Sequence, residues 1–95
     1  MKVVWSDEAI EDYNQNIEYL ERVWSFMVAS EFIQDTVETI ELICRHSEIY
    51  PVTSYKKIRK AVIRKQITLL FTIKNEEIHL IRFWNTYQNP DKLKL

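Results

Sequence analysis

The chain has 95 residues, of which 46% are apolar and 13% aromatic. This composition is typical of one small globular domain over residues 1–95 and excludes an intrinsically disordered protein. The single cysteine, Cys44, excludes an internal disulfide and is consistent with a reducing compartment. The sequence shows no signal-peptide pattern and no apolar run long enough to cross a bilayer. We therefore expect a cytoplasmic protein without membrane contacts.

The net charge of −1 conceals two halves of opposite sign. Residues 1–55 contain eleven acids and three bases, a charge of −8, whereas residues 56–95 contain ten bases and three acids, a charge of +7. Six of these bases lie in one stretch of ten residues, KKIRKAVIRK, from Lys56 to Lys65. Such asymmetry predicts a polyanionic or acidic partner for the C-terminal half.

The N-terminal half predicts one short strand and two helices. The β-branched run KVVW, residues 2–5, ends at Ser6, a good N-cap for a helix of about residues 7–23. Ser25 is a second N-cap, for a helix that extends to about His46. Because the link is so short, the helices form an antiparallel hairpin. Their apolar stripes predict a core that includes Ile10, Tyr13, Ile17, Leu20, Ile33, Val37 and Ile40.

The C-terminal half predicts three strands. From Tyr50-Pro51 onward the apolar period changes to two residues, over segments 58–64, 67–74 and 77–84. The links Lys65-Gln66 and Asn75-Glu76 are short enough for tight hairpins. The order β-α-α-β-β-β predicts an α+β fold in which the helical hairpin packs on one face of an antiparallel sheet. The other face is left open.

Two-residue links fix the register of the strands if no bulge intervenes. In this register Lys74 faces Glu77, and Val62 and Arg82 lie on the core face with Leu69, Phe71 and Trp84. Arg82 then reaches the open face only through a bulge. The open face is predicted to contain three rows, Arg59–Thr72–His79, Ala61–Leu70–Ile81 and Ile63–Thr68–Phe83.

The segments and their order resemble the RelE/ParE superfamily of bacterial type II toxins, of the plasmid-stabilisation type. The resemblance is carried by VVWSDEAIEDYNQNIEYL at the start, by the basic strand IRKAVIRKQITLLFTI, and by IHLIRFWNTYQNPDKL at the end. The last is the most specific, because many relatives end this strand with an aromatic or His followed by Arg-Arg/Gln-Asp/Asn-Pro. Here the motif reads Tyr87-Gln88-Asn89-Pro90, with tyrosine where arginine is common.

The resemblance implies a cytoplasmic toxin that a co-encoded antitoxin neutralises in a hetero-oligomeric complex. It also implies one of two targets, ribosome-bound mRNA or DNA gyrase, which a basic surface would contact. The predicted target-binding residues are Lys56, Lys57, Lys60 and Lys65. An alternative is that these lysines only discourage aggregation of an edge strand.

RNA cleavage by this fold needs no metal or other cofactor, and the sequence suggests no metal site. The attack of a 2′-hydroxyl on the adjacent phosphate requires a proton acceptor, a proton donor and a cation for the phosphate. The candidate catalytic residues are Arg59, Arg64, Tyr87, His79 and Arg82. The set is incomplete, because some ribosome-dependent relatives carry an arginine roughly where Thr68 stands.

Three hypotheses therefore follow. The first is a RelE-like, ribosome-dependent endoribonuclease, which the basic strand and Tyr87 slightly favour. The second is a ParE-like gyrase poison, which needs a binding surface and no catalytic residues. The third is an inactive protein of the toxin fold that retains only antitoxin binding.

Overall fold

The computed structural model describes residues 1–55 and 57–86, and it contains two helices and four strands. The elements in chain order are β1 (Lys2–Trp5), α1 (Asp7–Val23), α2 (Phe26–His46), β2 (Arg59–Arg64), β3 (Ile67–Lys74) and β4 (Glu77–Asn85). A short 3-10 turn, Ser47–Ile49, follows α2. The predicted α+β fold and its element order are thus confirmed.

Serine caps begin both helices, as the sequence predicts. Ser6 Oγ accepts a hydrogen bond from the Ala9 amide at 2.9 Å, and Ser25 Oγ accepts one from the Val28 amide at 3.1 Å. Each cap satisfies one of the amides that a helix start leaves unpaired. Only Trp24 and Ser25 separate the helices, so the chain turns back at once into the hairpin.

The sheet has the strand order β1-β4-β3-β2. The pairs β2–β3 and β3–β4 are antiparallel, whereas β1 lies parallel to β4, which makes the sheet mixed rather than wholly antiparallel. The Asn75-Glu76 link forms the predicted two-residue hairpin, with φ of 51° and 60° at its two central residues. Lys74 lies opposite Glu77, as the sequence predicts.

Two bulges change the register that the links alone would impose. In β4, Phe71 pairs with Leu80 but Leu70 pairs with Arg82, so Ile81 is the extra residue. As a result Phe83 is buried in the core, where the sequence predicted Trp84, and Arg82 is on the opposite face. The prediction that Arg82 points to the core is therefore wrong.

The second bulge lies in β2 between Val62 and Arg64. Ala61 pairs with Leu69 and is buried, and Ile63 is buried as well, while Val62 is 64% exposed. A shift of one residue exchanges the two faces of a strand, so the predicted faces of β2 are reversed. Arg59 consequently lies opposite Phe71 and not opposite Thr72, and the predicted row Arg59–Thr72–His79 does not form.

The core lies between the helical hairpin and one face of the sheet. Phe83 is at its centre: its ring is 5.5 Å from Trp5, 5.4 Å from Tyr13 and 6.4 Å from Phe32, measured between centroids. Among the residues predicted for the core, Leu20, Leu69 and Phe71 are fully buried, and Tyr13, Ile17 and Ile40 are partly buried. Within the described part of the chain, neither helix is long and apolar enough to span a membrane.

The helices present a different stripe to the core than the one predicted. Ile10, Ile33 and Val37 are 45%, 38% and 45% exposed, so their assignment to the core is wrong. The residues that α1 and α2 bury include several small or polar ones: Ala9, Asn16, Leu20, Ala29, Phe32, Thr36 and Ile43. Small side chains at the contact let the helix backbones approach the sheet closely, and the larger aliphatic residues beside them are turned outward.

A polar contact joins α1 to the edge of β4. Asn16 is 2% exposed, and its Nδ2 donates to the carbonyls of Asp12 and Phe83 at 2.9 and 3.3 Å. Its Oδ1 accepts from Asn85 Nδ2 at 2.8 Å. A buried amide that satisfies its partners in this way stabilises the docking of the helix.

We expect Asn16→Ala to lower the free energy of unfolding by about 1–3 kcal/mol, because the substitution removes hydrogen bonds from buried polar groups. Asn14→Ala, on the exposed side of the same helix, is the matched control and should change it by less than about 0.5 kcal/mol. Urea denaturation followed by circular dichroism measures both. Equal stability of the two variants would contradict a structural role for the Asn16 contact.

Candidate functional site

Arg82 is bound to helix α1. Its Nε donates to Asp12 Oδ2 at 2.6 Å and its Nη2 donates to Oδ1 at 3.1 Å. The same Oδ2 also accepts the Phe83 amide at 3.1 Å. The hydrogen bond to Asp12 raises the pKa of Arg82 above its usual value, against the opposing effect of burial. Asp12 thus fixes the guanidinium in an intramolecular ion pair, with its Cζ 6.0 Å from the centre of the Trp84 ring.

Arg64 is bound to helix α2. Its Nη1 donates to Asp35 Oδ2 at 3.0 Å, and its Nη2 lies 3.6 Å from Glu31 Oε1. The side chain of Arg64 is 27% exposed. Two acids of the negative half of the chain therefore compensate one of the cations of the basic strand.

Arg59 and His79 are not brought together. An Nη1–H of Arg59 donates to the carbonyl of Tyr50, in the segment that precedes β2. His79 lies on β4 opposite Thr72, and its Nε2 is 3.2 Å from Glu77 Oε1. The carboxylate orients the imidazole, which leaves Nδ1 as the ring nitrogen without that contact.

The lysines differ from the arginines. Lys57, Lys60 and Lys65 are exposed, and none of them forms an ion pair within residues 1–55 and 57–86. Lys74, at the end of β3, is likewise exposed, although the sequence predicted it only as the partner of Glu77 and not as a target-binding residue. The predicted residues Lys56 and Tyr87 lie outside the described residues. Among those described, no cluster of three His, Cys, Asp or Glu side chains could hold a metal ion.

Large apolar side chains are exposed on the helical hairpin. At its tip Val23, Trp24, Phe26 and Met27 are 50%, 58%, 76% and 70% exposed. Ile33 lies seven residues after Phe26, and Val37 lies four residues after Ile33. This spacing places all three on one side of α2. Ile33 and Val37 were predicted to lie in the core, so the surface to which they belong was not predicted from the sequence.

A cavity of about 410 Å³ lies beside this tip, where the hairpin approaches the turn between β2 and β3. Trp24, Val28 and Ile63 form its apolar wall, and Asp35, Arg64, Lys65 and Gln66 its polar wall. An exposed apolar surface beside such a cavity is typical of a protein-binding site.

Comparison with solved structures identifies the fold. The chain is similar to the chromosomal ParDE toxin–antitoxin system from P. aeruginosa, with a TM-score of 0.75 and 17% identity over 90% of this chain and 95% of that one. The chain has the RelE/ParE-type toxin fold.

Two further toxin structures share this fold. The YoeB/ParE toxin from Agrobacterium tumefaciens matches with a TM-score of 0.67 and 13% identity over 90% of this chain and 98% of that one. The YoeB dimer from Staphylococcus aureus matches with a TM-score of 0.64 and 14% identity over 88% and 94%. No family model and no curated protein matches the sequence.

A double-mutant cycle tests the coupling between Asp12 and Arg82. Because both side chains are largely buried, at 12% and 26% exposure, we expect Asp12→Ala and Arg82→Ala each to destabilise the fold by about 1–3 kcal/mol. The loss in free energy of unfolding of the double variant should be smaller than the sum of the two single losses, by about 0.5–3 kcal/mol. Glu41→Ala, at an exposed acid of α2 that has no contact with Arg82, should show no coupling when paired with Arg82→Ala. Additive effects of Asp12 and Arg82 in chemical denaturation would show that the pair is not a coupled unit.

Proposed function

We propose that this protein is the toxin of a type II toxin–antitoxin system, a member of the RelE/ParE superfamily that acts in the cytoplasm and is neutralised in a hetero-oligomeric complex. The observation that carries the proposal is the shared fold, together with the exposed apolar hairpin and the exposed lysines. A surface of this kind on so small a domain is suited to a partner that covers it.

The apolar side of the hairpin is the surface we assign to the antitoxin. Trp24, Phe26 and Met27 at the tip supply aromatic and thioether groups, which are enriched at protein interfaces. Lys65, which lines the cavity beside the tip, gives an acidic partner segment a cation to contact. Burial of these side chains would stabilise the complex chiefly through the hydrophobic effect.

Co-expression with the neighbouring open reading frame tests this assignment. We expect a stable complex with the wild-type protein. The double variant Trp24→Ser/Phe26→Ser should raise its Kd at least tenfold, because it removes two exposed aromatic anchors. Ile49→Ser, an equally exposed apolar residue in the 3-10 turn, is the control and should leave binding unchanged. If the wild-type protein binds no product of an adjacent gene, the toxin–antitoxin proposal is wrong. If the wild-type protein forms the complex and the double variant binds equally well, the assignment of this surface to the antitoxin is wrong.

The resemblance implies two candidate targets, and different contacts in the structure support each. The exposed lysines and the Glu77-oriented His79 support mRNA cleavage, in which a cation contacts phosphate and a base accepts a proton. The internal contacts of Arg59, Arg64 and Arg82 favour a gyrase-directed toxin, which requires a binding surface alone. We retain mRNA cleavage as the first candidate and gyrase poisoning as the second.

A translation assay containing ribosomes separates the two targets. If the protein cleaves mRNA, His79→Ala and Tyr87→Phe should each reduce the cleavage rate by about 10²–10³, the usual effect of removing one group that accepts or donates a proton. A gyrase poison should instead trap cleaved DNA with purified gyrase, and Tyr87→Phe should have little effect. Wild-type protein that leaves ribosome-bound mRNA intact would eliminate the nuclease candidate, whatever the variants do.

A further inference from the structure

Strand β3 extends beyond the end of β2 and leaves a notch at the edge of the sheet. Pairing between the two strands begins at Arg59 and Phe71, so Thr72–Lys74 have no partner in β2. A cavity of about 550 Å³ occupies this notch. It is lined by Lys57, Thr72, Ile73, Lys74 and Asn75.

Lys57 forms one wall of the notch, and its backbone is strained. Lys57 has φ of 66°, a left-handed conformation that is unfavourable for a residue other than glycine. The hydroxyl of Thr72 on β3 donates to the Lys57 carbonyl at 2.6 Å and holds the backbone in place. Backbone strain that the surrounding structure maintains is concentrated at functional positions. The strand therefore fixes the direction from which Lys57 enters the notch.

The notch is also cationic, and none of the described residues that line it is acidic. Glu77, which faces Lys74 in the hairpin, directs its carboxylate to His79 and Lys2, at 3.2 and 4.0 Å. Lys74 is thereby left without an ion pair among the described residues, and so is Lys57. A second depression beside the notch shares Lys57 and contains both Arg59 and the acid Glu48, so the uncompensated charge is confined to the notch itself. Uncompensated charge inside a concave surface raises the local concentration of anions.

We propose that the notch is a binding site for a phosphate ester, held between the ammonium groups of Lys57 and Lys74. Its volume is within the range of small-molecule sites. Lysine binds phosphate as a point charge, and the amide of Asn75 adds a donor at the same rim. The phosphate is either part of an RNA backbone or part of a free nucleotide. Where the phosphate belongs to RNA, the site rests on the proposed mRNA target; binding by the free protein is measured separately from cleavage, so either can fail without the other.

The test measures binding of a fluorescent single-stranded U8 RNA to the full-length protein at several salt concentrations, with ATP as competitor. Lys57→Gly removes the ammonium group and relieves the positive φ, so this variant should fold at least as well as the wild type. Lys57→Asn serves as a second variant that tolerates the same backbone. Lys74→Ala removes the other cation, and Arg45→Ala removes an exposed cation of α2 that does not line the notch.

We expect the Lys57 and Lys74 variants each to weaken RNA binding on the order of threefold to fivefold, with no change for Arg45→Ala. The slope of log K against log salt should become shallower by about 0.7 for each phosphate group that the variant no longer neutralises. Competition by ATP through the same lysines assigns the site to a free nucleotide, and RNA binding that resists ATP assigns it to an RNA backbone. Unchanged binding in both lysine variants, an equal decrease for Arg45→Ala, or equally tight binding of a peptide of eight glutamates would overturn the proposal.

Discussion

The fold depends on how helix α1 satisfies the edge of strand β4. Strand β1 has four residues and pairs with β4 only as far as Leu80. Beyond that point, side chains of the first helix and its cap replace a strand. Ser6 Oγ donates to the Ile81 carbonyl, Asp12 accepts the Phe83 amide, and Asn16 donates to the Phe83 carbonyl. Buried backbone groups on an edge need such partners, so these polar residues determine where α1 lies on the sheet.

The same contact determines which charges remain available to a partner. Asp12 binds the Arg82 guanidinium while it satisfies the strand edge, and the acids of α2 bind Arg64 in a similar way. The opposite charges of the two halves of the chain are therefore partly compensated inside the molecule. The lysines of the basic half form no such pairs within the described residues. Arg64 and Arg82 consequently join the sheet to the helices, and the lysines carry the positive surface.

Local patterns in the sequence predicted the helices, their serine caps, the strand order along the chain and the Asn75-Glu76 turn. Each of these depends on residues that are near one another in sequence. The sequence did not predict the two bulges, because an extra residue in a strand leaves no mark on a period-two pattern of mixed residues. Those bulges reversed the faces of β2 and moved Phe83 into the core. The bulge in β2 also separated Arg59 from His79, so this error in the candidate site follows from an error in register.

The sequence also failed to predict the exposed apolar surface of the helical hairpin. Ile33 and Val37 fit an apolar stripe, and hydrophobicity alone assigns such residues to the core. The core instead takes Ala29, Phe32 and Thr36 of α2. Arg64 of β2 holds this helix through Glu31 and Asp35. The sequence did not predict the contacts of Asp12 and Asn16 either. Their partners are about seventy positions away in the chain, and no local pattern connects them.

The length of β3 separates the two surfaces proposed for binding. The apolar tip of the hairpin shares a cavity with Gln66, one residue before β3, and the cationic notch is lined by Thr72–Lys74 at its other end. Eight residues of strand extend over about 24–27 Å. A compact partner that covers the tip therefore leaves the notch accessible. A partner that masks both surfaces must include an extended segment of about seven or eight residues, apolar at one end and acidic at the other.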